Sequence, residues 1–297
     1  MGKLGLIIEG GGMKCAYSAG ILDKFLDYGI TFDYIIGVSA GSANACSFAA
    51  GQRDRCRRFY TEHLKDPMYF GLKPFLKTGN LFNLSYIYGT LSNSDGKDPL
   101  DYEAIMNNPA ELTIVATNAR TGKPHYFTKD QLQKDNYREV MASSAIPAVC
   151  RPVKVNGVKY FDGGISDSIP VQKALDDGCD RVVILMSKTR DFVKTPEKMR
   201  ALYTLLCWRY PNTIRDMNRR HIMYRSCQAQ SYRMEKEGTA FIFAASRQLN
   251  MSTYTMDPAV EQELYDLGIA DFETEKEGLF RFIGDSHITR PSGRPAE

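Results

Sequence analysis

The sequence predicts an α/β fold, a mainly parallel central sheet with helices on both faces. Three observations carry this. Short apolar runs closed by glycine or acid recur along the chain, beginning with Leu4 to Ile8 and Tyr34 to Val38. Between these two lies a stretch whose apolar residues Tyr17, Ile21, Leu22, Phe25, Leu26 and Tyr28 fall on one helical stripe. Strand and helix then keep alternating, the pattern that sets parallel strands between helical layers.

The elements follow in order. Gly29 caps the first helix, and Ser42 to Ala50 forms a second that stops at Gly51. Further strands are expected at Leu112 to Thr117, His125 to Thr128, Val158 to Phe161, Arg181 to Met186 and Phe241 to Ala244. A chain of 297 residues without repeats fits a single domain over 1–297, with its motifs within 4–190 and a charge-segregated, mostly helical part over 191–297. Hydrophobic residues at 43% and charged residues at 25% belong to the soluble globular class. A net charge of +3 gives no reason to expect nucleic acid as a partner. Seven scattered cysteines without a CxxC pair argue against a disulfide framework or a metal site, and point to a reducing, cytoplasmic setting. The opening MGKLGLIIEGGG does not read as a signal peptide or a myristoylation site. No apolar run reaches the ~18 residues of a spanning helix. Any lipid contact is expected to be peripheral.

Ligands of such sheets gather beyond the carboxyl ends of the strands. Two glycine-bearing stretches lie there. In IIGVSAGSA, Ser39 sits between Gly37 and Gly41 where a strand turns sharply into a helix. This is the G-x-S-x-G elbow, which exposes its central side chain and needs small neighbours. The following helix aims its N-terminal amides at the serine. An ordinary tight turn is the competing reading. In EGGGMKCAYSAG, Gly10, Gly11 and Gly12 let the amides of Gly11, Gly12 and Met13 converge on an anion or a developing oxyanion, with the Lys14 charge nearby. Dinucleotide binding is the rival, but Cys15 stands where the third glycine would be and no GK[ST] follows.

An activated serine needs a base. None of His63, His125, His221 and His287 lies in a glycine-rich turn after a strand. Asp162 does, in VKYFDGGISDSIP, where Gly163 and Gly164 leave room for another loop. Asp167 is its rival, in a context that reads as a helix start. A plain Asp-Gly turn is the alternative.

Together, EGGGMK, GVSAG and DGG, in this order and spacing, resemble the patatin-like phospholipase family. The stretch ASSAIPAVCRPV, residues 142–153, is similar to the family's segment before the aspartate. The resemblance covers roughly 4–190. It implies a Ser–Asp dyad that works without histidine, with Ser39 as nucleophile, Asp162 as base, and Gly10, Gly11, Gly12 and Met13 as the oxyanion loop. It implies hydrolysis of a lipid ester with no calcium or other cofactor. Lys14 stands where the family often has arginine and Cys15 where it usually has glycine. That departure keeps open a second reading, a catalytically silent lipid- or acyl-binding protein of the same fold.

Two regions remain. Residues 66–92 are rich in aromatics and glycine, and read as a packed excursion over the sheet or as an apolar cover on an acyl pocket. Residues 193–236 hold ten Lys/Arg and three Asp/Glu, with Tyr203, Trp208, Tyr210, Tyr224 and Tyr232 among them. Such a segment suits anionic head groups at a membrane. Residues 257–277 carry eight acids and one lysine, so pairing of the two segments within the fold is the other reading.

Overall fold

The computed structural model describes residues 2–289. The strands are β1 (Lys3–Ile8), β2 (Tyr34–Val38), β3 (Glu111–Asn118), β4 (Pro124–Thr128), β5 (Val153–Val155), β6 (Val158–Asp162), β7 (Cys179–Met186) and β8 (Ala240–Ala244). The helices are α1 (Ala16–Asp27), α2 (Ala40–Ala49), α3 (Arg55–Thr61), α4 (Leu72–Thr78), α5 (Tyr102–Asn107), α6 (Arg138–Ser143), α7 (Val171–Asp176), α8 (Arg200–Leu206), α9 (Pro211–Lys236) and α10 (Pro258–Ile283).

All eight strands form one sheet, hydrogen-bonded along the path β5-β6-β3-β2-β1-β7-β8 with β4 also on β3. Strands β1, β2, β3, β7 and β8 run parallel. Strands β4 and β6 pair antiparallel to β3, and β5 pairs antiparallel to β6. The sheet is thus parallel through its centre. The sequence pattern foretold β4 and β6 but not their direction, and β5 is three residues long, too short to leave a period.

Side chains alternate across the sheet. Leu4, Leu6 and Ile8 pack with α1, α2 and α10, whereas Ile7, Ile36, Val38 and Ile184 pack with α7 and α9. Both faces are covered, which is why the strands read as continuous apolar runs. Helix α10 lies against α1 at two glycines. A Cβ on Gly20 would come within 2.2 Å of the Tyr265 carbonyl, and one on Gly268 within 2.2 Å of the Tyr17 carbonyl. Among the described residues, no helix is long and apolar enough to cross a membrane.

Candidate active site

The register of β3 brings two distant strand ends together. Val115 pairs with Val38 and Tyr126, and Ala116 pairs with Asp162 and His125. A strand residue has one neighbour on each side. Hence β4 fills one edge of β3, while β2 and β6 meet end to end along the other. One strand runs with β3 and the other against it, so both carboxyl ends arrive at the same point. Ser39 follows the first and Asp162 ends the second.

Ser39 holds φ at +55°, a strained value for a residue with a Cβ. The crowding of the elbow enforces it: a Cβ on Gly37 would meet the Gly41 carbonyl at 2.6 Å, and one on Gly41 would meet the Glu9 carbonyl at 2.6 Å. The Ser39 amide donates to Ser143 Oγ at 2.8 Å, and that hydroxyl donates onward to the Val115 carbonyl at 2.6 Å. Ser39 Oγ donates to Asp162 Oδ2 at 2.5 Å. The other Asp162 oxygen, Oδ1, accepts from the Gly164 amide at 2.8 Å. The Asp162 backbone is fixed by its amide on the Ala145 carbonyl and its carbonyl under Thr117 Oγ1. Gly163 packs against the Val115 carbonyl, which a Cβ would strike.

Both groups are buried, Ser39 6% and Asp162 4% exposed. Burial pushes the Asp162 carboxyl above the ordinary aspartate range, opposed in turn by the nearby Arg220 charge and the hydrogen bonds from Ser39 and Gly164. Arg220 arrives from α9, where its Nε donates to the Gly164 carbonyl at 2.6 Å and its guanidinium pairs with Glu197 at 3.2 Å. Sequence reading missed Arg220 and Ser143. One is among ten basic residues of 193–236 and the other among three small residues before Ile146, so neither stood out.

The glycine loop differs from expectation in two ways. First, the Met13 amide donates to the Thr253 carbonyl at 3.2 Å and is not free for an oxyanion. The connection from β8 to α10 passes over the loop, a contact no local pattern could show. The amides of Gly11 and Gly12 have no partner among the described residues. Second, the Lys14 side chain lines a separate hollow with Ser187, Phe192, Arg247 and Met251, which Ser39 does not reach. Burial and Lys188 pull its pKa down, with Glu9 opposing. The lysine next to this loop that lines the hollow containing Ser39 is Lys188. It pairs with Glu9 and also borders the Gly10 carbonyl, at 3.5 Å. Cys15 lies beneath the loop, fully buried, with Sγ on the Glu9 carbonyl at 3.5 Å. Desolvation drives its thiol pKa upward, so it acts as filling.

Two hollows, of about 650 and 790 Å³, meet at Ser39 and Gly12. The first is apolar, walled by Ala43, Phe59, Tyr69, Leu84, Ile87 and Tyr88. Much of that wall comes from 66–92. The second is polar, walled by Asp162, Lys188, Lys194, Glu197 and Arg220, with Tyr254 beside them. None of the four histidines lines either hollow. His63 bonds Asp98, and His125 packs edge-on against Phe127 and tilted against Tyr160. Asp167 accepts from Tyr126 and stands apart from Ser39.

Comparison with known proteins gives a consistent picture. The family profile "Patatin-like phospholipase" matches residues 6–175, and a domain of unknown function (DUF6363) matches 210–284. An uncharacterized Escherichia coli protein, YjjU, is 30% identical over 66% of this chain and 55% of its own length. An uncharacterized NTE family protein of Mycobacterium tuberculosis is 25% identical over 57% of this chain and 44% of its own. The lysophospholipase nte1 of Aspergillus terreus is 26% identical over 60% of this chain and 11% of its own. The chain therefore spans about half or less of the length of these relatives. Among solved structures, VipD from Legionella pneumophila aligns with a TM-score of 0.45 at 14% identity, covering 92% of this chain and 67% of that one. The profile match takes in both Ser39 and Asp162 and more than half of the sequence, and on that ground this chain belongs to the patatin-like phospholipase family.

Proposed function

We propose that the chain is a serine acyl hydrolase that cleaves carboxylic esters of lipids, of phospholipase or lysophospholipase type. The observation that carries this is the 2.5 Å contact from Ser39 Oγ to Asp162 Oδ2 where an apolar and a polar hollow join. Asp162 takes the hydroxyl proton as Oγ attacks the acyl carbonyl. The Gly11 and Gly12 amides hold the resulting oxyanion, aided by the positive end of α2. Collapse expels the alcohol, which recovers the proton from Asp162 and leaves the acyl group on Ser39. Water, deprotonated by Asp162, then attacks that ester and releases the fatty acid with Ser39 restored. The lysophospholipase among its relatives supports a lipid ester as substrate.

The occupied Met13 amide favours a second reading, a silent acyl-binding protein. A fluorophosphonate probe separates the two, since only an activated serine is labelled. Labelling of the native chain, and loss of p-nitrophenyl ester turnover by roughly 10⁴-fold or more in Ser39→Ala and Asp162→Asn, are expected. A native chain that neither labels nor turns over would retire the hydrolase reading.

A further inference from the structure

Two short helices carry apolar side chains into solvent on either side of one segment. On α4, Leu72, Phe75 and Leu76 are exposed, Leu76 to 77%. Their spacing of three and four places them on one face. On α8 and just after it, Leu202, Leu205, Leu206 and Trp208 are exposed, Leu205 to 70% and Trp208 to 66%. The residues after α4 are joined to 149–151: the Leu81 amide donates to the Val149 carbonyl, and the Arg151 amide to Asn80 Oδ1. Tyr203 and Cys207 pack with Ala148 in one buried cluster. Ile146 and Pro147, the residues just before, wall the hollows at Ser39. The two apolar tips therefore flank the rim of the nucleophile's cavity.

Charge says what covers them. Residues 72–78 contain Lys73 and Lys77, and residues 198–209 contain Lys198, Arg200 and Arg209, with no acid in either stretch. All five are exposed. None makes an ion pair among the described residues. The Arg209 guanidinium stands 5.0 Å over the Trp208 ring. Exposed leucines and a tryptophan ringed by long cations suit the boundary between lipid tails and anionic head groups, where the cations snorkel. Protein interfaces instead are depleted in lysine. The wider expectation for 193–236 narrows accordingly. Tyr203 and Tyr224 are buried and Tyr210 and Tyr232 half-buried, so of the five aromatic residues Trp208 alone is exposed. No ion pair among the described residues joins 193–236 to 257–277, so its positive charge is not spent within the fold on that segment.

We infer that α4 and the α8–Trp208 segment form a docking surface for an anionic lipid bilayer, which would deliver lipid at the rim of the cavity. This extends the lipid-ester reading, and the test is arranged so that the two fail separately. Full-length Ser39→Ala, which removes the chemistry, is mixed with phosphatidylcholine vesicles with and without phosphatidylglycerol. Sedimentation with the anionic vesicles, weakened by salt, is expected. Trp208 is the only tryptophan in the chain, so a blue shift of its emission on binding reports its own burial. Leu205→Glu/Leu206→Glu should raise the lipid concentration for half-binding about tenfold, and Lys73→Glu/Lys77→Glu should raise it to a similar extent. In the otherwise native chain both double variants should keep their circular dichroism and their turnover of a water-soluble ester. Absence of binding, equal binding to neutral vesicles, or binding without a Trp208 shift would each overturn the proposal. So would a dimer by size exclusion that the leucine variant dissociates, since it would mark the surface as an interface between copies. Loss of fluorophosphonate labelling, by contrast, would strike the hydrolase reading alone.

Discussion

The two hollows that meet at Ser39 are built from different parts of the chain and have opposite chemistry. The apolar one takes its walls from α2, α3 and residues 66–92, all within the family match. The polar one borrows Lys194, Glu197, Arg220 and Tyr254 from beyond it. Charges in the polar hollow nearly cancel: Lys188, Lys194 and Arg220 face Glu9, Glu197 and Asp162. The difference teaches that the part shared with the family builds the apolar hollow, while residues beyond it supply much of the polar one; on the proposed hydrolase reading these take the acyl tail and the alcohol side of the ester. On that reading the substrate is amphipathic, with its carbonyl at the junction.

Three experiments would break or sharpen that contrast. The largest effect is expected from filling the apolar side. Ala43→Leu should lower turnover of long-chain esters about 100-fold relative to short-chain ones, leaving the short-chain rate nearly intact, measured as kcat/KM along a p-nitrophenyl ester series. A uniform loss across chain lengths would place the tail elsewhere. Next comes the polar side. Arg220 opposes the upward shift of Asp162, so Arg220→Met should push that carboxyl higher still. Because the base must be ionised, activity falls as pH drops through its pKa. The acid limb of kcat/KM should therefore lie above the ~3.9 of a free aspartate in the native chain. It should move further up in the variant, with about a tenfold loss near neutrality. An unmoved limb would reduce Arg220 to a packing role.

The smallest effect concerns Glu261, fully buried on α10 with both carboxylate oxygens unpartnered among the described residues, and close enough to Tyr69 of the apolar wall to influence it. Burial, then Asp257, raises its pKa to about 9 from an ordinary 4.5. Between those values the folded chain keeps a proton that the unfolded chain has released, so stability declines as pH rises across that window. Glu261→Gln should flatten the decline by about 1–3 kcal/mol between pH 5 and 9, read from urea midpoints at both ends. A parallel decline in the variant would show that another group is responsible.

The parts of this architecture that were legible in the sequence are those fixed by neighbours in the chain. β2 is legible to the residue, because a short, mostly apolar stretch lies between Asp33 and Ser39. Ser39 announced itself since the elbow needs small residues at fixed spacing. Asp162 was marked by the glycines after it and by the family resemblance. What stayed hidden depends on contacts across the fold. Thr253 on the Met13 amide, Lys188 in the place expected for Lys14, and Arg220 behind Asp162 lie 240, 174 and 58 residues from their counterparts along the chain. The reach of Lys14 is not legible in sequence, because a loop's backbone path does not say to which side its longest side chain turns.

Arg220 on the Gly164 carbonyl has a consequence for how the protein comes into being. During synthesis Ser39 is made early, and Asp162 follows well before α9. The cation that steadies that acid emerges only some 58 residues later, with α9. On the proposed hydrolase reading, a nascent chain that has made Ser39 and Asp162 still lacks the charge that favours the ionised acid, so competence would arrive late in translation, after most of the sheet has been laid down.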